Sequence, residues 1–223
     1  MRDPNPSALT TVRARSLQHP FTVRGGTTDV GEFVVTVCRS VYAHGLPAGA
    51  RVVFDLGANV GDTGAWFLSR YPDATVISVE PDDDNYAIAA RNLAPYGERS
   101  VLVRAAVWCE DGHVRLRVNR DWKSGSRVEN AEGLAVDVPA ISIPSLMRAY
   151  GIHEIDVVKC DIEGAEEQVF AVDPDEWLAR THVLCIEIHS AAAQALIDAA
   201  TRRCGFRSGV LHRDVTVFTR EDV

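Results

Sequence analysis

Apolar, β-branched runs alternate along this chain with stretches of helical periodicity. "RVVFDL" (51–56) predicts a buried strand, and "DTGAWFLSRY" (62–71) the helix that follows it. "ATVISVE" (74–80) predicts a second strand, and 83–97 a helix ended by Pro95 and Gly97. "SVLVRAAVW" (100–108) reads as a third strand, and after an "EDG" turn "HVRLRV" alternates as a half-exposed hairpin strand does. Residues 119–139 are polar and irregular and predict a surface loop. A short helix over 142–151 leads to a fourth strand at 154–162, and a further helix starts at Glu163. A fifth strand at 182–189 precedes a helix over 190–205, and "VTVFTR" (215–220) closes the chain beside a short partner near 206–211.

Strands that alternate with helices imply parallel pairing through right-handed crossovers. The last two strands lie too close in sequence for such a crossover, so the final one must run antiparallel. The expectation is an α/β fold: a doubly wound, mostly parallel seven-stranded sheet with an antiparallel last strand. Pro, Ser, Thr and Arg dominate the start, "MRDPNPSALTTVRARS", and predict a loose arm over residues 1–18. Residues 19–223 are then expected to form one domain.

Composition narrows the function. The chain has 223 residues, 46% of them hydrophobic and 24% charged, the balance of a globular protein. No apolar run approaches the ~20 residues that cross a bilayer, and the start has no apolar signal core. Five cysteines without a C-x-x-C pair suit a reducing compartment, so a cytoplasmic location is expected. The net charge of −8 and the acidic run "EPDDD" (80–84) argue against a nucleic-acid partner. A small neutral or cationic acceptor is expected, with no membrane partner; the oligomeric state leaves no signal in the pattern.

The chemistry concentrates in "FDLGANVGDTG" (54–64), where a strand runs into glycines. In open α/β sheets ligands bind beyond the carboxyl ends of the strands. The glycines at 57, 61 and 64 miss the dinucleotide spacing, and no phosphate-binding G-x-x-x-x-G-K motif is present. Asp55 and Asp62 would oppose a phosphate at the helix start. They suit S-adenosylmethionine, which carries a sulfonium and an ammonium. Glu80 ends the second strand, where an acid commonly accepts bonds from ribose hydroxyls, whereas Asp82 to Asp84 suit helix capping.

These pieces carry a resemblance. "FDLGANVGDTG", "VISVEP", "DVVKCDIEGAEEQVF" and "CIEIH", with "VRGGTTDVGEF" upstream, resemble class I, Rossmann-like methyltransferases and, within them, the FkbM family. The likeness spans roughly residues 23–220; Cys160 departs from it, standing where an aliphatic residue is more usual. It implies an S-adenosylmethionine-dependent O-methyltransferase acting on a hydroxyl of a secondary metabolite, sugar or lipid. It also implies that Asp55, Gly57, Asn59, Gly61 and Glu80 hold the cofactor, and that Asp161 marks the boundary between cofactor and acceptor.

On the acceptor side Lys159 shares a strand face with Asp161, and Glu187 shares one with His189. A hydroxyl acceptor benefits from a general base, and His189 has the ordinary pKa nearest neutrality. His189 is therefore the leading candidate, with Asp161 and Glu187 behind it. Glu163, Trp122 in the 119–130 loop, and Asp29 beside Thr28 are expected on the acceptor side. Asp161, Glu163, Glu187 and His189 also suit Mg²⁺ or Mn²⁺ by type; a metal-free site is the expectation and an ion the lesser reading. An N-methyltransferase, an NAD-dependent oxidoreductase and a non-catalytic module remain as alternatives.

Overall fold

The structure, a computed structural model, describes residues 8–117, 127–128, 135–207 and 209–221. A hairpin opens it: β1 (Leu9–Val12) pairs antiparallel with β2 (Phe21–Arg24), and α1 (Asp29–Phe33) follows. Next come β3 (Val52–Leu56), α2 (Asp62–Arg70), β4 (Thr75–Val79), α3 (Asp83–Leu93) and β5 (Ser100–Val103). A second group consists of β6 (Ala106–Val107), β7 (Gly112–Arg117), β8 (Arg127–Val128) and β9 (Ala135–Ile141). The chain then returns through α4 (Ile143–Ala149), β10 (Ile155–Cys160), α5 (Glu166–Ala171), α6 (Asp175–Leu178) and β11 (Thr181–Glu187). It closes with α7 (Ala191–Arg203), β12 (Val210–His212) and β13 (Val215–Thr219).

Seven strands form the main sheet in the order β12-β13-β11-β10-β3-β4-β5. The five from β11 to the edge strand β5 are parallel, and β13 runs antiparallel to β11 and β12. This is the doubly wound sheet expected from the alternation, with the last strand reversed as the short connection demands. Both faces are covered. Val53, Val76 and Val157 pack toward Phe67 and the N-terminal hairpin, while Phe54, Ile77, Val158 and Leu184 pack toward Leu146, Phe170 and Ile197. Strands buried on both sides must be apolar throughout, which is why these runs were so legible.

The order reverses between β3 and β10. The chain winds outward through β4 and β5, then restarts on the other side of β3. A crevice opens where the carboxyl ends of these two strands diverge, the place for a ligand in such sheets.

Three expectations change. The arm is bound from Leu9 onward: Ser16 Oγ donates to Val37 O at 2.9 Å, and Gln18 N donates to Ser69 Oγ at 3.0 Å. Its Thr-rich strand is almost wholly exposed and therefore lacks the apolar signature of a core strand; residues 1–7 lie outside the described residues. The third strand breaks after Val103, and Ala106–Val107 leaves to pair with β9 in a four-stranded sheet of order β6-β9-β7-β8. The 119–139 loop contains β8 and the start of β9, whose pairing with β7 comes from tertiary context. Among the described residues no helix is long and apolar enough to cross a membrane.

Candidate active site

Two turns meet at the crevice. After β3, the amides of Gly57 and Ala58 donate to Val79 O at 3.0 and 2.9 Å, folding the turn over the end of β4. Gly57 has φ 77, and a Cβ there would lie 1.8 Å from the carbonyl oxygen of Asp161. Only glycine fits, because the backbone after β3 touches the backbone after β10. Beyond β10 the chain does not enter a helix at Glu163 as the pattern suggested. Glu163 and Gly164 take φ 51 and 99, and α5 begins only at Glu166.

Glu80 is 5% exposed, and each of its carboxylate oxygens takes one bond from backbone. One carboxylate oxygen accepts from Asn59 N at 2.8 Å and the other from Asp82 N at 2.9 Å. Burial pushes its pKa up to about 7 against those two bonds. Asp82 caps α3, its side chain accepting from Asn85 N at 2.9 Å, as expected for this acidic run.

A cavity of about 790 Å³, counted to its open mouth, lies beside these groups. Gly57, Asn59, Glu80 and Asn85 line it, as do Asp161, Glu163 and Glu187. Ala106, Val107 and Leu116 of the small sheet supply an apolar wall. The size and the mixed lining are those of a small-molecule site. Asn59 Oδ1 and Asp161 Oδ1 are buried and have no hydrogen-bond partner among the described residues. Such oxygens fit a ligand that brings donors, as hydroxyls and an ammonium do.

His189 is the hub of the acidic side. Its Nδ1 lies 2.7 Å from Oε1 of Glu166, a side chain only 1% exposed. Its Nε2 lies 3.7 Å from Glu163 and 3.8 Å from both Asp161 and Glu187. The hydrogen bond to Glu166 leads in raising the imidazole pKa to about 9; burial opposes it, and the surrounding carboxylates add to it. The ring is then imidazolium at neutral pH, so the base expected from the ordinary histidine pKa is already protonated. Glu187 is also raised: burial first, then Asp161, lifts it to about 7. Asp161, Glu163 and His189 also offer three ligand atoms within 4.8 Å of one another, a set a divalent cation would accept. A proton on His189 balances the same carboxylates.

Other expected residues stand behind the cavity rather than on it. Asp55 is completely buried, 3.4 Å from Lys159 Nζ and 3.4 Å from Ser78 Oγ. Gly61, with φ 83, starts α2 against Ala89 and Leu93. Asp29 does not reach the acceptor side, because it is fully buried and held by Arg24, whose Nε and Nη2 donate to it at 2.9 Å each. Arg24 Nη2 also donates to Asn85 Oδ1 at 2.7 Å. One turn beyond Thr28, Glu32 lines the cavity instead. Trp122 lies outside the described residues. Glu32 and Asn85 escaped the sequence reading, since only tertiary packing brings α1 and α3 to the crevice.

The family model described as the methyltransferase FkbM domain matches residues 55–208. The chain belongs to the FkbM methyltransferase family. This FkbM methyltransferase is 24% identical over 195 residues to the methyltransferase sdnD of Sordaria araneosa, covering 72% of this chain and 75% of that protein. It is also 27% identical over 182 residues to the ribosomal RNA small subunit methyltransferase H of Leifsonia xyli subsp. xyli. That match covers 78% of this chain but only 53% of the relative. Among solved structures, a methyltransferase from Geobacter sulfurreducens shares the fold at a TM-score of 0.50 and 17% identity, over 83% of this chain and 78% of that one.

Proposed function

We propose that this FkbM methyltransferase transfers a methyl group from S-adenosylmethionine to a hydroxyl of a small molecule. The observation that carries the reading is one cavity shared by buried Glu80 and by the Asp161, Glu163 and Glu187 carboxylates. Glu80 is the acceptor for ribose hydroxyls, and Asn59 Oδ1 and Asp161 Oδ1 are open to further donors, an ammonium among them. S-adenosylmethionine, when bound, supplies a methyl group already activated on sulfonium. The protein's task is therefore positioning, which in well-oriented systems recovers about 7–11 kcal/mol, plus removal of the acceptor proton.

Glu187 takes that proton. With a pKa near the operating pH it balances the fraction ionised against proton affinity. His189, held by Glu166, stays imidazolium and places a positive charge beside Asp161 and Glu163. Glu163 meets the acceptor from its strained turn. A chain of net charge −8 with carboxylates along its cavity suits a small acceptor better than a polyanion.

Calorimetric titration with S-adenosylhomocysteine, with and without Mg²⁺, and then with NADH, tests the reading. S-adenosylhomocysteine binds the wild type without metal, and Glu80→Ala weakens it by ~10–100-fold, the loss of a charged acceptor at roughly 1.5–3 kcal/mol. Hydroxyl compounds are then screened for methyl uptake. Failure to bind S-adenosylhomocysteine under either condition sinks the proposal, and NADH binding in its place moves the weight to an oxidoreductase.

A further inference from the structure

Lys159 is 3% exposed on the central strand β10, directly across from Asp55 of β3. A buried ammonium is costly unless its protons are all used. Here they converge on three consecutive residues of one strand end. Nζ donates to Gly57 O at 2.5 Å and to Leu56 O at 3.3 Å, and lies 3.4 Å from Asp55 Oδ1. The ring of Tyr42 closes another side, with Nζ 5.9 Å from its centroid. Leu56 O has a second donor, Asp161 N at 3.1 Å. One carbonyl thus joins the lysine, the end of β3 and the residue at the cofactor–acceptor boundary.

We propose that Lys159 is a positioning residue that fixes the turn after β3 in register with Asp161. Its ammonium gathers the carbonyls of Leu56 and Gly57 and the Asp55 carboxylate into one knot. That knot presses the side-chain-free Gly57 against the Asp161 carbonyl. The donor-binding turn and the acceptor-side carboxylate then move as one body. The functional consequence rests on the reading of this cavity as the S-adenosylmethionine site. A bland role would be neutralisation of Asp55 alone, which needs no bond to either carbonyl.

Two variants separate these roles: Lys159→Met, and Asp55→Asn combined with Lys159→Met, which also removes the carboxylate facing the lysine across the sheet. Each is measured for thermal midpoint, for amide hydrogen exchange of Gly57 and Ala58 against β11, and for S-adenosylhomocysteine affinity. Positioning predicts that the double variant regains most of the midpoint lost in Lys159→Met. Gly57 and Ala58 nevertheless exchange about tenfold faster than in the wild type, through local opening that leaves β11 protected, and affinity stays low. Lys159→Gln, which keeps an N–H donor, restores part of the loop protection. If the double variant recovers wild-type exchange at Gly57 and Ala58, Lys159 only neutralises Asp55 and the proposal is overturned. If Lys159→Met does not fold, the double variant and Lys159→Gln carry the same comparison. Faster loop exchange in a protein whose wild type binds no S-adenosylhomocysteine would uphold the knot and overturn the cofactor reading instead.

Discussion

His189 and Glu187 sit two residues apart on one strand end, yet their surroundings push both pKa values upward and leave them on either side of physiological pH. Glu187, at about 7, gains its charge as pH rises through neutrality. His189, at about 9, loses its charge only in alkali. Methyl transfer is therefore expected to follow a bell, rising through about 7 and falling through about 9. Glu187→Gln lowers the turnover by ~10²–10⁴-fold, the usual worth of a general base, and erases the acid limb. His189→Gln erases the alkaline limb. A wild-type rate that stays level through about 9 would remove the His189 assignment, and one that stays level on the acid side of about 7 would remove that of Glu187.

Among elements, the tie between β2, α1 and α3 matters as much as the main sheet. Arg24 reaches Asp29 on α1 and Asn85 on α3, so the N-terminal hairpin braces the wall that carries Asn85. Burial works against the charge on Asp29, but the bonds from Arg24 outweigh it and hold the carboxyl below its ordinary pKa. Asp29→Ala leaves a buried guanidinium unpaired, which costs about 3–5 kcal/mol. In a chain of this size the thermal midpoint then falls by roughly 6–20 °C. A midpoint within a degree or two of wild type would show that the tie is dispensable. The sequence could not display this arrangement. Asp29 followed a glycine pair and looked free for a substrate, and its partner was an arginine in a short, unremarkable run. The central strands were legible because burial on both faces demands apolar residues, and Glu80 because it ends one of them. The exposed β1, the short β8 and the start of β9 follow their pairing partners rather than their own composition, whereas the alternation of "HVRLRV" marked β7. The pKa of His189 was equally hidden, since Glu166 comes to it from helix α5.

For the molecule as a whole, these groups link folding to pH. The folded chain keeps the His189 proton up to about pH 9, whereas an unfolded imidazole releases it near 6.5. The stability that this proton contributes is complete below 6.5 and disappears as pH rises through about 9. Buried Glu80 has the same sign lower down: its contribution is complete below 4.5 and lost as pH rises through about 7. The thermal midpoint is expected to decline from mildly acidic to alkaline pH, and the alkaline part of that decline should shrink in His189→Gln. A scan in which wild type and His189→Gln run parallel above neutrality would contradict the hub described at His189.

The cavity has walls of different build. One side is main-sheet backbone in direct contact, Gly57 against Asp161, with no side chain between that could be exchanged. The opposing apolar wall, Ala106, Val107 and Leu116, hangs on a small separate four-stranded sheet. Change is thus cheap on one side and nearly forbidden on the other. On the proposed reading, a new acceptor is accommodated by rebuilding the small sheet, while the turn after β3 tolerates no such change.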